Sequence, residues 1–176
     1  MPEATSGDRI VLPKPSLRSE RSLEELLAAR RSIRHFAPAA LSDVQLSQLL
    51  WAAQGIVSPQ GLRTTPSAGA LYPLEVYVLL AEGLYHYRPD RHELRRRRAG
   101  DARQALCRAA LSQDAVTLAP AVFVFTAVER RMVSQYGSAR TPRYIHMEAG
   151  HAAQNLLLQA TALGLGGVPI GAFHDR

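Results

Sequence analysis

The chain has 176 residues, 47% of them hydrophobic, which is enough for one compact domain with a buried core and too short for two. Its formal net charge of +6 comes from arginine, because Lys14 is the only lysine. The single cysteine, Cys107, excludes an intramolecular disulfide and a multi-cysteine metal site, as is typical of a reducing cytoplasm.

The N-terminal residues 1–20 are rich in proline, charged and small residues, and this composition predicts an extended arm rather than a core element. The domain proper is predicted over residues 21–176. The first residues lack a basic start followed by a long apolar run, and no segment approaches the roughly 18 apolar residues of a membrane span. We therefore expect a cytoplasmic protein with no membrane partner.

Two capping boxes predict the first helices. Ser22 with Glu25 precedes LEELLAA, and Ser42 with Gln45 precedes a segment whose apolar residues recur at helical spacing. Residues 56–70 contain turn formers and small residues without an apolar period. This pattern predicts a long ordered loop of the kind that serves a site.

The second half of the chain alternates strand and helix patterns. Residues 74–82 predict a strand, and GLYHYRP directly after them predicts the second strand of a hairpin. Apolar patterns then predict three elements: a helix at 101–112, a buried strand at 119–128 and a long helix at 141–164. The final GGVPIGAF is expected to end that helix and to form a short strand and a tight turn.

The densest basic run, Arg95–Arg98, allows two interpretations. A solvated loop is favoured, since like-charge runs are usually exposed and the turn-like YRPDRHEL leads into it. A nucleic-acid patch is the alternative, but no interleaved aromatic residues or recognition motif accompany the run. We therefore expect no nucleic-acid partner.

Two short motifs resemble known binding signatures, but the sequence around each excludes that interpretation. His146 and Glu148 spell the H-x-E of zinc deaminases, but the cysteine pair required downstream is missing from the sequence. Gly164, Gly166 and Gly167 end a helix, whereas a dinucleotide-binding fingerprint must open one. The sequence thus predicts neither a metal centre nor a site of that fingerprint.

Three motifs taken together are more informative: RRSIRHF, TTPSAGALYPLE and GLGGVPIGAF. The first supplies arginine side chains and a hydroxyl group, and the other two are loops whose small residues expose backbone groups. Such a set suits a flat polar heterocycle with a phosphate tail.

From about Leu23 to His174 the chain resembles the nitroreductase-like flavoproteins, most closely the azoline-oxidising (SagB-type) dehydrogenases of thiazole/oxazole peptide biosynthesis. Six segments appear in that subgroup's order: RRSIRHF, PSAGALYPLEVYV, GLYHYRPDRHEL, QYGSAR, EAGHAAQNLLLQATALGLG and PIGAF. The resemblance implies an α+β fold with a central antiparallel sheet wrapped by helices. It also implies an intertwined homodimer with FMN bound at the subunit interface.

The resemblance further implies the residues of the flavin site. Four would hold the FMN phosphate and ribityl chain: Arg30, Arg31, Ser32 and Arg34. Four would approach the flavin from the partner subunit: Ser67, Ala68, Gly69 and Leu71. Four would lie against the isoalloxazine ring: Pro169, Ile170, Gly171 and Ala172. The backbone N–H of Gly171 or Ala172 would point at the reactive flavin nitrogen and stabilise the reduced form.

Two features depart from the subgroup's pattern. Its Lys-Tyr acid/base pair is Gln135-Tyr136 here, and glutamine does not exchange protons near neutral pH, which argues against azoline oxidation of the established type. Tyr136 is then the remaining candidate catalytic side chain. The subgroup also continues past the GAF turn with a further helix and strand, whereas this sequence stops at Arg176. FMN binding is accordingly expected to be weaker and more salt-sensitive than usual.

The expected function is that of an FMN-dependent oxidoreductase. Hydride would pass between a reduced nicotinamide, NAD(P)H, or an organic donor and a small or peptide substrate. The alternative is a flavin-fold binding module with little or no turnover. Substrate choice is expected to lie in the segment 129–145, whose candidates are Arg130, Arg131, Tyr136, Arg140 and Tyr144.

Overall fold

The computed structural model describes residues 8–174, which form a five-stranded antiparallel sheet of order β1-β4-β3-β2-β5 and six α-helices. The strands are β1 (Arg9–Val11), β2 (Leu74–Leu80), β3 (Gly83–Arg88), β4 (Glu93–Ala99) and β5 (Val122–Ala127). The helices are α1 (Leu23–Ala29), α2 (Asp43–Gln54), α3 (Arg103–Ala109), α4 (Ala115–Leu118), α5 (Arg130–Tyr136) and α6 (Thr141–Ala162). The α+β class and the antiparallel sheet are therefore confirmed.

Both capping boxes form as the sequence predicts. Ser22 Oγ accepts from the backbone N–H of Glu25, whose carboxylate accepts from the N–H of Ser22 at 2.8 Å. Ser42 and Gln45 make the same reciprocal pair at the start of α2. Each cap satisfies amide groups that a helix start would leave unpaired, and it contributes about 1 kcal/mol to helix stability.

One face of the sheet packs against α2, and α6 lies beside α2. Along β2 the side chains of Val76, Val78 and Leu80 enter the core cluster, together with Leu50 of α2. Glu75, which lies between the inward-facing positions, belongs to the opposite face because successive strand residues alternate. None of the helices within 8–174 combines the length and apolar character needed to cross a membrane.

The N-terminal arm contributes more than the sequence indicated. Residues 1–7 of the predicted arm lie outside the described residues. Arg9–Val11 pair with β4 as an edge strand, and Leu12, only 5% exposed, joins the main core cluster. The expectation of an arm without a core element is therefore wrong, because Ile10 and Leu12 alternate onto the core face of the sheet edge. The domain start at residue 21 stays a prediction.

A buried polar network fixes the arm behind Leu12. Ser47 Oγ donates to the carbonyl of Pro13 at 2.5 Å and lies 2.7 Å from His92 Nε2. The Tyr87 hydroxyl lies 2.8 Å from His92 Nδ1. Burial lowers the pKa of His92, against the opposing effect of the Pro13 carbonyl, and burial also raises the pKa of Tyr87. A neutral imidazole that accepts from Tyr87 and donates to Ser47 satisfies all four groups.

Arg95–Arg98 lie in a strand rather than in a solvated loop, so that prediction is wrong. They belong to β4, where Leu94 is fully buried next to them. Arg96 Nη2 donates to Asp8 at 2.7 Å, and Arg97 Nη2 lies 3.1 Å from His86 Nδ1. Arginine tolerates a strand here because its long stem crosses the sheet surface while the guanidinium reaches a polar partner.

Three other expectations differ in detail. The strand at 119–128 is shorter, Val122–Ala127, and only partly buried, because within the described chain β5 pairs with β2 alone. The helix expected at 101–112 ends at Ala109, where Leu111 and Ser112 take positive φ values. After α6 stops before Gly164, no strand forms up to residue 174, and a single bridge between Ser32 and Gly167 replaces it.

Candidate functional site

The first and third motifs lie side by side. After α1 ends, the backbone N–H of Ile33 donates to the carbonyl of Gly167 at 3.0 Å, and Ser32 forms a parallel bridge with the same glycine. A Cβ on Gly166 would lie 2.8 Å from the Ile33 side chain. The close approach therefore requires a glycine, and it places RRSIRHF directly against GLGGVPIGAF.

The arginines of the first motif are available for an anion. Arg31 and Arg34 are exposed and Arg30 is partly buried. Arg31 Nη1 donates to the carbonyl of Arg30 at 2.7 Å, which turns the Arg31 side chain back along the backbone. Among the ion pairs formed within residues 8–174, none involves these three side chains. Such guanidinium groups are well suited to phosphate, which they bind through paired N–H donors.

The second motif forms a strained turn. Ala68–Ala70 make a short 3₁₀ segment in which Gly69 has φ 61° and Ala70 has φ 51°, and Tyr72 follows with φ 46°. Ser67 Oγ accepts from the backbone N–H of Tyr72 at 2.9 Å and closes the turn. Left-handed φ at non-glycine residues costs about 1–3 kcal/mol each, and such strain clusters at ligand-binding segments.

The end of α5 lies over this turn. A Cβ on Gly69 would stand 3.0 Å from the Gln135 amide and 3.1 Å from the Tyr136 hydroxyl. The Tyr136 ring packs against Tyr144 with centroids 4.4 Å apart. The Gln135-Tyr136 pair thus lies against the second motif. Arg131, one of the candidate substrate contacts, instead forms an ion pair with Glu75.

The remaining part of the third motif crosses to α3 and α4. Ile170 packs against the small cluster of Cys107, Ala110 and Val116. Gln113 Nε2 donates to the carbonyl of Ala172 at 2.8 Å. Gly171 is exposed, and apart from its chain neighbours no atom of residues 8–174 lies within 4 Å of the position that a Cβ would take. The backbone at Gly171 is therefore open to a ligand.

The second motif and the junction of the other two both contact α6. Ala68 and Leu71 pack on the cluster that includes Ile145 and Ala152. Asn155 Nδ2 donates to the Thr64 carbonyl at 3.3 Å and to Thr65 Oγ1 at 3.1 Å, at the start of the second motif. A Cβ on Gly167 would meet Leu157 of the same helix. One helix thus carries contacts to all three motifs, directly or through the junction.

Sequence reasoning missed a buried polar group behind the second motif. Glu148 of α6 is 2% exposed, and within the described residues neither carboxyl oxygen has a hydrogen-bond partner. Burial raises the pKa of Glu148, while nearby Ser67, Gln54 and the charge of Arg63 oppose that shift. The available signal was helical spacing, because Ile145, Glu148 and Ala152 share the buried face of α6.

Comparison with known proteins agrees with this architecture. A sequence profile described as the nitroreductase family matches residues 27–176. A putative nitroreductase from Methanocaldococcus jannaschii is 42% identical over 176 residues, covering 97% of this chain and 88% of that protein. The crystal structure of a putative nitroreductase from Ralstonia eutropha has a TM-score of 0.83 at 37% identity, covering 93% of this chain and 76% of that one.

Two more distant structures share the fold. The Escherichia coli microcin synthetase complex McbBCD, with truncated pro-MccB17 bound, matches with a TM-score of 0.63 and 26% identity over 89% of this chain and 65% of that one. A putative nitroreductase from Desulfovibrio desulfuricans, in complex with FMN, matches with a TM-score of 0.60 and 24% identity over 85% of this chain and 68% of that one. The fold is therefore the nitroreductase fold. The chain belongs to the nitroreductase family.

Proposed function

We propose that the chain is an FMN-dependent oxidoreductase that transfers hydride between a reduced nicotinamide or organic donor and a small or peptide substrate. The observation that carries this proposal is the junction of the first and third motifs through Ile33 and Gly167. It places arginines that form no ion pair within residues 8–174 next to a glycine-rich backbone. Membership of a family of typically FMN-dependent oxidoreductases supports the same conclusion.

The residues present fit FMN. The exposed guanidinium groups of the first motif suit its phosphate, and the strained turn at Gly69 and the open backbone at Gly171 suit a flat ring that requires close approach. The residues that would hold FMN are Arg30, Arg31, Ser32, Arg34, Ser67, Ala68, Gly69, Leu71, Pro169, Ile170, Gly171 and Ala172. Bound FMN would supply the two-electron carrier of the reaction.

The chain's own groups then bind, orient and stabilise. The arginines hold the phosphate by charge-assisted hydrogen bonds. The backbone N–H of Gly171 or Ala172 donates to the flavin and stabilises negative charge without a titrating side chain. Gln135 holds no proton to exchange, so Tyr136 is the hydroxyl of that pair that can donate a proton to a substrate.

We further propose that the site is completed by a second copy of the chain. The resemblance to the azoline-oxidising subgroup, whose members are expected to bind FMN at a subunit interface, supports this arrangement. Large apolar side chains are exposed beside both parts, including Ile33 at 42%, Met147 at 53% and Phe173 at 56%. A homodimer would cover them and bring the second motif of one subunit to the junction of its partner.

A relationship to the azoline-oxidising subgroup belongs to the same proposal. The six shared segments and the similarity to the microcin synthetase complex support it. Gln135 favours a second candidate function, a module that binds FMN but turns over slowly, because the acid/base pair of that subgroup is incomplete.

The test begins with the purified protein and its colour. A yellow protein whose absorbance near about 450 nm is bleached by NADH or NADPH supports the oxidoreductase. A yellow protein that neither these donors nor organic hydride donors reduce supports the binding module instead. A colourless protein that takes up no added FMN contradicts both.

A further inference from the structure

A polar cavity of about 390 Å³ lies where β2 and β3 meet the end of α2. Its charged and polar lining includes three arginines and two carboxylates, so it is basic overall. The polar side chains that matter here are Gln54, Arg63, Glu75, His86, Arg88 and Arg131. Of these six, Glu75 is the last residue of the second motif, and the other five lie outside the three motifs of the proposed flavin site.

Two of the three arginines already have carboxylate partners. Arg88 donates to both oxygens of Asp90, each at 3.2 Å. Arg131 donates to Glu75, which also lies 2.5 Å from His86 Nε2. Burial opposes the charge on Glu75, but the hydrogen bonds from Arg131 and His86 outweigh it and hold the pKa of Glu75 below its ordinary value. Both carboxylates of the cavity are thus already paired with an arginine.

Arg63 is the cavity arginine for which the described part of the chain supplies no carboxylate partner. Nη1 of Arg63 donates to Gln54 Oε1 at 2.8 Å, and its guanidinium lies 4.7 Å from the centre of the Tyr72 ring. No ion pair formed within residues 8–174 includes Arg63. Burial lowers the pKa of Arg63, although Glu75 and Glu148 act in the opposite direction.

The nearby buried carboxyl does not neutralise Arg63 well. Glu148 is 2% exposed, its oxygens have no hydrogen-bond partner among the described residues, and Gln54 Nε2 is likewise buried and unpartnered. Burial raises the pKa of this carboxyl group, so it ionises reluctantly although Ser67, Gln54 and the charge of Arg63 oppose that shift. A partly buried cation without a contacting counterion at a cavity wall favours an anionic ligand.

The cavity is connected to the second motif. The backbone N–H of Arg63 donates to the Tyr72 hydroxyl at 3.1 Å, and Arg131 Nη1 donates to the Tyr72 carbonyl at 2.9 Å. Tyr72 is also the residue whose N–H closes the turn on Ser67. Arg131 and Gln135 stand one turn apart on α5, so the helix runs from the cavity to the turn at Gly69.

We propose that this cavity binds an oxyanion on Arg63, namely the carboxylate or phosphate group of the donor or acceptor whose reactive part reaches the site beside Gly69. This inference rests on the proposed function for the identity of the ligand, but not for the existence of the anion site. Arg63 would bind the oxyanion directly, because the charges of Arg88 and Arg131 are balanced by Asp90 and Glu75 and the charge of Arg63 is left over.

The test is a titration of the FMN-saturated protein with inorganic phosphate and with acetate at constant ionic strength, following the ¹⁵N resonances of the arginine side chains. Saturation of FMN occupies the arginines of the first motif and separates the two sites. We expect saturable shifts of one buried arginine signal, lost in Arg63→Gln, with affinity reduced about tenfold or more. The exposed Arg108→Gln on α3 is the matched control, expected to bind as the wild type does.

Asp90→Asn tests the same cavity from a half-exposed position, in case Arg63→Gln does not fold. It releases Arg88 from its partner, so phosphate should bind several-fold more tightly. Equal affinity in wild type, Arg63→Gln and Arg108→Gln, or an Asp90→Asn variant without tightening, would overturn the anion site. A protein that takes up no FMN contradicts the proposed function alone, since the Arg63 signal still reports phosphate.

Competition then distinguishes the two ligand sources. Displacement of phosphate by nicotinamide mononucleotide identifies the donor's phosphate, and displacement by 4-nitrobenzoate, with nitrobenzene as the uncharged control, identifies a carboxylate of the acceptor. Either result supports the proposal. Failure of both to displace phosphate refutes the substrate assignment.

Discussion

The junction between the first and third motifs can be tested with two neighbouring glycines. In Gly166→Ala the new Cβ would lie 2.8 Å from both Cβ and Cγ2 of Ile33. In Gly167→Ala it would lie 2.9 Å from Cδ2 of Leu157, the far end of a flexible side chain. Neither glycine has a positive φ, so backbone strain does not enter the comparison.

The magnitudes follow from what has to move. The Cβ of Ile33 is fixed to the backbone, so relief in Gly166→Ala must shift the segment that donates to Gly167. Overpacking of this kind costs about 1–3 kcal/mol, offset by about 0.4–1 kcal/mol from the stiffer unfolded chain. We expect a net loss of roughly 1–2 kcal/mol in unfolding free energy, and FMN affinity reduced about 5–30-fold if the loss falls on the bound form.

The assay is urea unfolding combined with titration of FMN fluorescence. Gly167→Ala should change both quantities little, because Leu157 can rotate away. Gly171→Ala, where the Cβ meets nothing within 4 Å, should keep wild-type stability. The reasoning is refuted if Gly166→Ala matches the wild type, or if Gly167→Ala proves the more damaging of the pair.

Three further outcomes are expected. Arg30→Ala and Arg34→Ala should each weaken FMN binding about tenfold in fluorescence titrations while leaving the thermal unfolding curve unchanged. The affinity of the wild type for FMN should fall with added salt. Arg108→Ala is the control and should bind FMN as the wild type does. Burial lowers the pKa of His92, so below the ordinary histidine pKa of 6.5 the unfolded chain binds more protons than the folded one. The free energy of unfolding should therefore fall as the pH drops from about 7.5 to 5.5. His92→Gln should flatten this pH dependence in urea unfolding. Burial raises the pKa of Glu148, so its contribution to the free energy of unfolding is present below pH 4.5 and is lost as the pH rises through the pKa of the folded state. Glu148→Gln should therefore become more stable relative to the wild type as the pH rises. A difference in unfolding free energy that does not change with pH would contradict the assignment.

Local signals in the sequence were sufficient for most of the helices and for the central hairpin. The boxes at Ser22 and Ser42 depend only on residues three positions apart, and α6 shows its period over six turns. Local signals gave the wrong prediction for Arg95–Arg98. These residues form a strand because β4 pairs with β3 and β1, and the charge pattern carries no information about that pairing.

The candidate site divides in the same way. The small residues and arginines of the three motifs predicted loops whose backbone binds a ligand. The structure places the first motif against the third. The sequence did not predict that Arg63, Gln54 and Glu148 lie together. Each is an ordinary residue in its own segment, and they become neighbours only because the fold brings α2, the long loop and α6 together. The role of every residue in the flavin site stays a prediction.

The N-terminal arm is bound at the sheet edge formed by β4, as a separate peptide could be. Three residue pairs between β1 and β4, the buried Leu12 side chain and the hydrogen bond from Ser47 to Pro13 hold the arm in place. Arg18 and Arg21 in the following segment are exposed. Tryptic cleavage there would turn an intramolecular contact into a bimolecular one, governed by concentration rather than by tether length. The nicked protein should keep its arm when concentrated and release it on dilution, which provides a direct measure of how tightly the edge is closed.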